Sequence, residues 1–223
     1  NLEDLGNGID YTFLYQKDEC LEDNELEEII AFAACLHQNI NNKTTDVKLP
    51  NREMRKLNHE HIFIYPYLED NGLNLDDVLP GLQEVGESFK KDIALKNAVE
   101  KLGLRYLKDG NTLLHGDYFP GSWLKTKDGI KIIDPEFCFF GEVEFEIGVT
   151  LAHLKMANKP ETTLKKVLDI YKDLSSIDEE LCQQFMAIEL LRRILGLAQL
   201  PLSLNLEERK TLLDESRRIL VDV

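Results

Sequence analysis

Two short stretches hold the residues best suited to chemistry. One is His115-Gly116-Asp117, and the other is Asp134-Pro135-Glu136. Between them lie Ser122 and two apolar runs, Ser122-Trp123-Leu124-Lys125 and Ile130-Lys131-Ile132-Ile133, flanking Lys127-Asp128-Gly129. Asp-Gly between such runs predicts a β-hairpin, and a hairpin brings its two ends together. Three carboxylates, Asp117, Asp134 and Glu136, are therefore expected to face one site, with the Ser122 hydroxyl nearby. Hard oxygen ligands at this density suit Mg²⁺, which takes one or two carboxylates and completes its shell with substrate phosphates. A carboxylate not engaged by metal can orient a substrate hydroxyl and receive its proton. That division of labour is the one phosphoryl transfer requires. Taken singly, each motif has a plainer explanation: Asp117 as a turn cap, Asp134-Pro135 as a turn starter with Glu136 solvated.

The elements around these motifs are mostly helical. Residues 25–38 place acidic side chains in a first turn, where they complement the helix dipole, and predict a helix. Residues 40–60 are polar and without clear period, and are expected to be a loop. Asn74 or Asp76 is expected to cap a helix through Leu79, Leu82, Val85 and Phe89, with Pro80 limiting its start. A helix is predicted over 93–108, stopped by Asp109-Gly110. After the strand-like run Thr112–His115 and the hairpin, helices are predicted at 145–157, 161–174, 178–198 and 207–221. The run 11–15 is apolar and fits a strand or a helix start. The expected class is α+β, mostly helical, with one small β-hairpin insert in the middle.

Composition narrows the function. The chain has 223 residues, with 41 acidic against 26 basic side chains and a formal charge of −15. Such a surface opposes binding to nucleic acid, which requires phosphate neutralisation, and gives no attraction to anionic membranes. No apolar run is long enough for a membrane span, and Asn1-Leu2-Glu3-Asp4-Leu5 does not read as a signal peptide. Cys20, Cys35, Cys138 and Cys182 are scattered, which fits free thiols in a reducing cytoplasm better than a zinc site. His37 and His153 read as packing or surface residues, His59 and His61 as structural, Trp123 as core, and Glu25, Glu27 and Glu28 as a solvated face.

The stretch Leu114-His115-Gly116-Asp117-Tyr118-Phe119-Pro120-Gly121-Ser122 resembles the catalytic loop of the aminoglycoside phosphotransferase and choline kinase superfamily. Ser122 in place of the usual Asn, together with Asp-Pro-Glu, is similar to the 5-methylthioribose kinase branch. So are residues 54–63 and the stretch Arg192-Arg193-Ile194-Leu195-Gly196-Leu197-Ala198. The resemblance runs from about residue 50 to residue 200. It implies a protein-kinase-like C-terminal lobe over residues 6–223, with ATP and Mg²⁺ as cofactors and a small sugar-like acceptor as the partner. Asp117 would be the catalytic carboxylate and His115 the brace of its loop. Asp134 and Glu136 would bind Mg²⁺ and through it the nucleotide phosphates, and Ser122 would stand in the cofactor site where other members use Asn for metal. Arg192 and Arg193 would reach the sugar or the moving phosphate, one directly and one in support.

The resemblance further implies a hinge remnant over residues 1–5, where Glu3 and Leu5 would meet adenine, and cytoplasmic localisation. The same resemblance suggests a homodimer. No Gly-x-Gly loop or lysine-bearing strand stands before residue 50, so the N-terminal lobe is expected to be absent and turnover by this chain to be low. The alternative is a non-catalytic kinase-like lobe that binds a ligand or a protein. An isolated Arg-Arg pair on a helix would otherwise read as a solvated or salt-bridged face.

Overall fold

The computed structural model describes residues 7–222. Residues 1–5, including Glu3 and Leu5, lie outside the described residues. Eight α-helices and two small antiparallel sheets make up the described chain, in agreement with the mostly helical α+β class.

Helix α1 (Asp23–Asn39) buries Leu26, Ile29, Ile30, Ala33, Ala34 and His37, the stripe a 3.6-residue period produces. Helix α2 (Arg52–Phe63) occupies a stretch expected to be a loop. Its inward face is Arg55, Asn58, Ile62 and Phe63, spaced as a helix requires, but half of it is polar. The hydrophobic period was therefore hidden. Arg55 donates to the carbonyls of Tyr106 and Lys108 and to Asp109, and its guanidinium lies 4.6 Å from the centroid of the Phe139 ring. Those bonds satisfy a buried cation that would otherwise destabilise the helix.

Helix α3 (Leu82–Lys90) starts later than the pattern suggested. Asn74 caps a short 3₁₀ turn at Leu75–Asp77, while the Asp76 carboxylate accepts from the Gly81 and Gln83 N–H groups at the start of α3. Helices α4 (Ile93–Tyr106), α5 (Val143–Met156), α6 (Glu161–Leu174), α7 (Glu179–Leu195) and α8 (Leu206–Val221) lie close to their expected positions. Helices α5 and α7 are buried on nearly every side and pack against each other at the centre. Gly148 permits this approach, because a Cβ there would press on Cys182 and Phe185.

The β structure forms two sheets rather than one insert. Strands β3 (Trp123–Thr126) and β4 (Gly129–Ile132) form the expected hairpin, with Thr126 opposite Gly129. Strand β1 (Ile9–Asp10) adds to its edge. The apolar run that follows β1 is a 3₁₀ helix, Tyr11–Tyr15, capped by Asp10. Separately, β2 (Thr112–Leu114) pairs with β5 (Phe139–Gly141). The chain thus leaves β2, passes through His115–Ser122, runs up and down the hairpin, and returns through Asp134–Phe137 to β5. All four cysteines are free thiols, and no helix among the described residues is long and apolar enough to cross a membrane.

Candidate active site

The pairing of β2 with β5 fixes both ends of the segment holding the two acidic motifs. Within it, the backbone of the His115 loop is bonded directly to the segment that carries Asp134 and Glu136. His115 Nε2 donates to the Ile133 carbonyl at 2.8 Å, and its Nδ1 faces the Asp117 N–H at 3.4 Å. The Ile133 N–H donates to the Ser122 carbonyl at 3.0 Å. Gly116 adopts φ +85°, and a Cβ there would collide with the Phe137 carbonyl oxygen. Only glycine accommodates both the left-handed backbone and that approach.

Gly116 is held from two further sides. Its N–H donates to Glu146 Oε2 at 2.9 Å, and its carbonyl accepts from Asn58 Nδ2 at 3.3 Å. The other oxygen of Glu146 pairs with His37 Nε2 at 2.9 Å. Burial favours the neutral acid at Glu146, but the partnership with His37, the nearby His115 and the Gly116 N–H outweigh it and lower its pKa. Ser122 is buried, and its hydroxyl donates to the Asp117 carbonyl at 2.7 Å, closing the loop.

The side chain of Asp117 is partly buried, and among the described residues no hydrogen bond reaches its oxygens. Among the described residues its one ionic contact is with Arg193 Nη2, 3.8 Å from Oδ1. Burial raises its pKa above the ordinary carboxylate value, opposed by the positive charges of Arg192 and Arg193. A carboxylate in that setting has free lone pairs for a hydroxyl donor and a basicity raised toward the working range of a general base.

Asp134 and Glu136 are exposed and form no salt bridge among the described residues. Asp134 sits at φ +61°, and its side chain caps nothing. Asn51 clasps the segment from α2, donating to the Glu136 carbonyl at 2.7 Å and the Cys138 carbonyl at 3.0 Å. Among the described residues no three acidic, histidine or cysteine side chains converge on a metal-sized site, so the expected meeting of Asp117, Asp134 and Glu136 as one ligand group is not found.

Arg192 and Arg193 are both buried, not solvated. Both bond Glu189, one helical turn earlier: Arg192 Nη1 at 3.0 and 3.2 Å, Arg193 Nε at 2.6 Å. Arg193 also lies 5.0 Å from the Phe119 ring centroid. His59 and His61 stand beside aromatic rings, those of Phe63 and Tyr65 among them. His153, read from sequence as a packing or surface residue, is buried and bonds Tyr15 and Glu189. Sequence reasoning missed Asn51, Asn58, Glu146 and Glu189. For the two glutamates a signal existed: each interrupts an otherwise apolar helical run, a position a carboxylate occupies only when partnered.

A groove of about 730 Å³ lies elsewhere, beside Lys101, Arg105, Lys108, Asn111, Glu142 and Glu144. Its central cation, Arg105, is already neutralised by two hydrogen bonds to Glu142, so size alone does not mark the site.

No family model matches the chain. Among curated proteins, methylthioribose kinase of Yersinia pestis (strain Pestoides F) is 40% identical over 104 residues, 47% of this chain and 25% of that protein. Methylthioribose kinase of Geobacillus thermodenitrificans (strain NG80-2) is 31% identical over 121 residues, covering 53% and 30%. Methylthioribose kinase of Exiguobacterium sibiricum is 32% identical over 111 residues, covering 50% and 28%. The matched stretch spans about a quarter of the length of the first of these relatives. Over about half its length, this chain is thus similar in sequence to proteins that are methylthioribose kinases.

Proposed function

We propose that the chain carries the acceptor and metal half of an ATP-dependent small-molecule kinase, with a 5-methylthioribose-like sugar as acceptor. The single observation that carries this reading is Asp117: a partly buried carboxylate of raised pKa, free of hydrogen bonds among the described residues, beside an arginine pair. The names of the relatives support the sugar; the residues support the chemistry.

In this reading the acceptor hydroxyl donates to Asp117 and gives it its proton as the new O–P bond forms and the bond to ADP breaks. His115, Ser122, Asn58 and Glu146 hold the loop backbone so that Asp117 needs no reorganisation. Arg192 and Arg193 offset negative charge at the acceptor side. Asp134 and Glu136 would hold Mg²⁺, whose charge neutralises the nucleotide phosphates. The role of Ser122 is to fix the loop through the Asp117 carbonyl.

Calorimetry with 5-methylthioribose, Mg²⁺ and ATP added separately tests the proposal. Saturable sugar binding, weakened in Asp117→Asn, is expected. Binding of none of the three would overturn it in favour of a module that recognises something else.

A further inference from the structure

We propose that Glu189 is a positioning residue: it holds the guanidinium groups of Arg192 and Arg193 beside Asp117, and is itself held by His153 and Tyr15. The role rests on the acceptor-site reading of Asp117 given above.

Adjacent helical residues project about 100° apart, so Arg192 and Arg193 would not aim alike by themselves. They converge because a single carboxylate, three and four residues earlier, lies between them. Burial would raise the pKa of Glu189, but the two arginines and His153 reverse that and hold it well below the carboxylate range. An ionised carboxylate only accepts, so the His153 nitrogen that meets it at 3.1 Å, Nε2, must carry a proton. Burial pushes the His153 pKa down to about 4, so the ring is neutral and Nδ1 is bare. The Tyr15 hydroxyl, 2.5 Å away, therefore donates to Nδ1. Every proton in the chain from Tyr15 to Glu189 then has one direction.

The network is closed to solvent. Tyr15, His153 and Glu189 are 1%, 0% and 1% exposed. Phe119 packs against it, its ring centroid 5.0 Å from that of His153 and 5.0 Å from the guanidinium carbon of Arg193. The charges of Glu189, Arg192, Arg193 and Asp117 sum to zero, which limits the penalty of burying them. Among the described residues, Arg192 Nε is buried and has no hydrogen-bond partner. Tyr15 belongs to the 3₁₀ helix that follows β1, so the arginine pair is also tied to the strand edge that carries the hairpin.

The test uses the chain as it is, with 5-methylthioribose as the calorimetric probe and ¹⁵N NMR of the His153 ring. Glu189→Gln is expected to weaken sugar binding at least tenfold. Glu189→Asp keeps the charge but shortens the reach, and is expected to lose nearly as much. Tyr15→Phe removes one hydroxyl and should cost a few-fold, which preserves the test if Glu189→Gln does not fold. The His153 ring should be neutral with its proton on Nε2 from pH 8 to pH 5. Wild-type affinity in Glu189→Asp, or an Nδ1–H or normally titrating His153, would overturn the positioning role while leaving the acceptor site intact. Failure of the wild type to bind the sugar would overturn the acceptor-site reading, and the role with it.

Discussion

Asp117 and His153 illustrate how burial acts in opposite directions on an acid and a base. Desolvation raises the Asp117 pKa and lowers that of His153, because in both it penalises the charged form. For Asp117 the consequence is chemical. On the proposed reading, Asp117→Asn keeps the shape and removes the base, so any phosphoryl transfer that Asp117 supports should fall by about 10²-fold or more in kcat while the melting temperature barely moves. For His153 the consequence is stability. Its pKa of about 4 in the folded state lies below the roughly 6.5 of an unfolded histidine, so between those values the unfolded chain binds the extra proton. The stabilising contribution is complete above about pH 6.5 and is lost as pH falls toward 4, at about 1.4 kcal/mol per pH unit. Glu189, held below the carboxylate range, acts in the same direction at lower pH. Urea titrations from pH 8 to pH 4 should show this slope, and His153→Gln should flatten it.

The loop that carries Asp117 depends on two backbone positions more than on its own side chains. Gly116 combines φ +85° with an approach to Phe137 that excludes a Cβ, so Gly116→Ala should destabilise by about 2–4 kcal/mol. Chemical denaturation measures that directly. Asn51 supplies the clasp on the other motif at φ +40°. Asn51→Gly tolerates the same backbone but removes the amide, so amide exchange across 134–138 should accelerate while the rest of the chain stays protected. Both motifs, the hairpin between them and most helices were legible, because Asp-Gly turns and apolar periodicity are local signals. Helix α2 was not, because its inward face uses Arg55 and Asn58, polar residues made compatible with burial by partners on α4 and the Gly116 carbonyl. The β2–β5 pairing was equally hidden, since nothing local specifies which strand a three-residue run will meet.

Taken together, α5 and α7 form a buried hub from which the site is organised. Each contributes one interior glutamate: Glu146 fixes the loop backbone, and Glu189 fixes the arginine pair. The Gly116 and His37 partners of Glu146 and the His153 partner of Glu189 lie 30 or more positions away on other elements, whereas Arg192 and Arg193 stand three and four residues from Glu189 on its own helix, a spacing that sequence does show. The chain's net charge of −15 is carried outside this cluster, in which the two buried arginines are balanced by Glu189 and Asp117. In the groove beside α4, by contrast, Arg105 is paired with Glu142.

A ¹H–¹⁵N NMR titration with 5-methylthioribose decides between these two surfaces. Saturable shifts at His115–Phe119 and at the side chains of Arg192 and Arg193, with none at Lys101, Arg105 and Lys108, are the predicted result. Shifts confined to the α4 groove, or no saturable shifts anywhere, would contradict the assignment of Asp117 to an acceptor site.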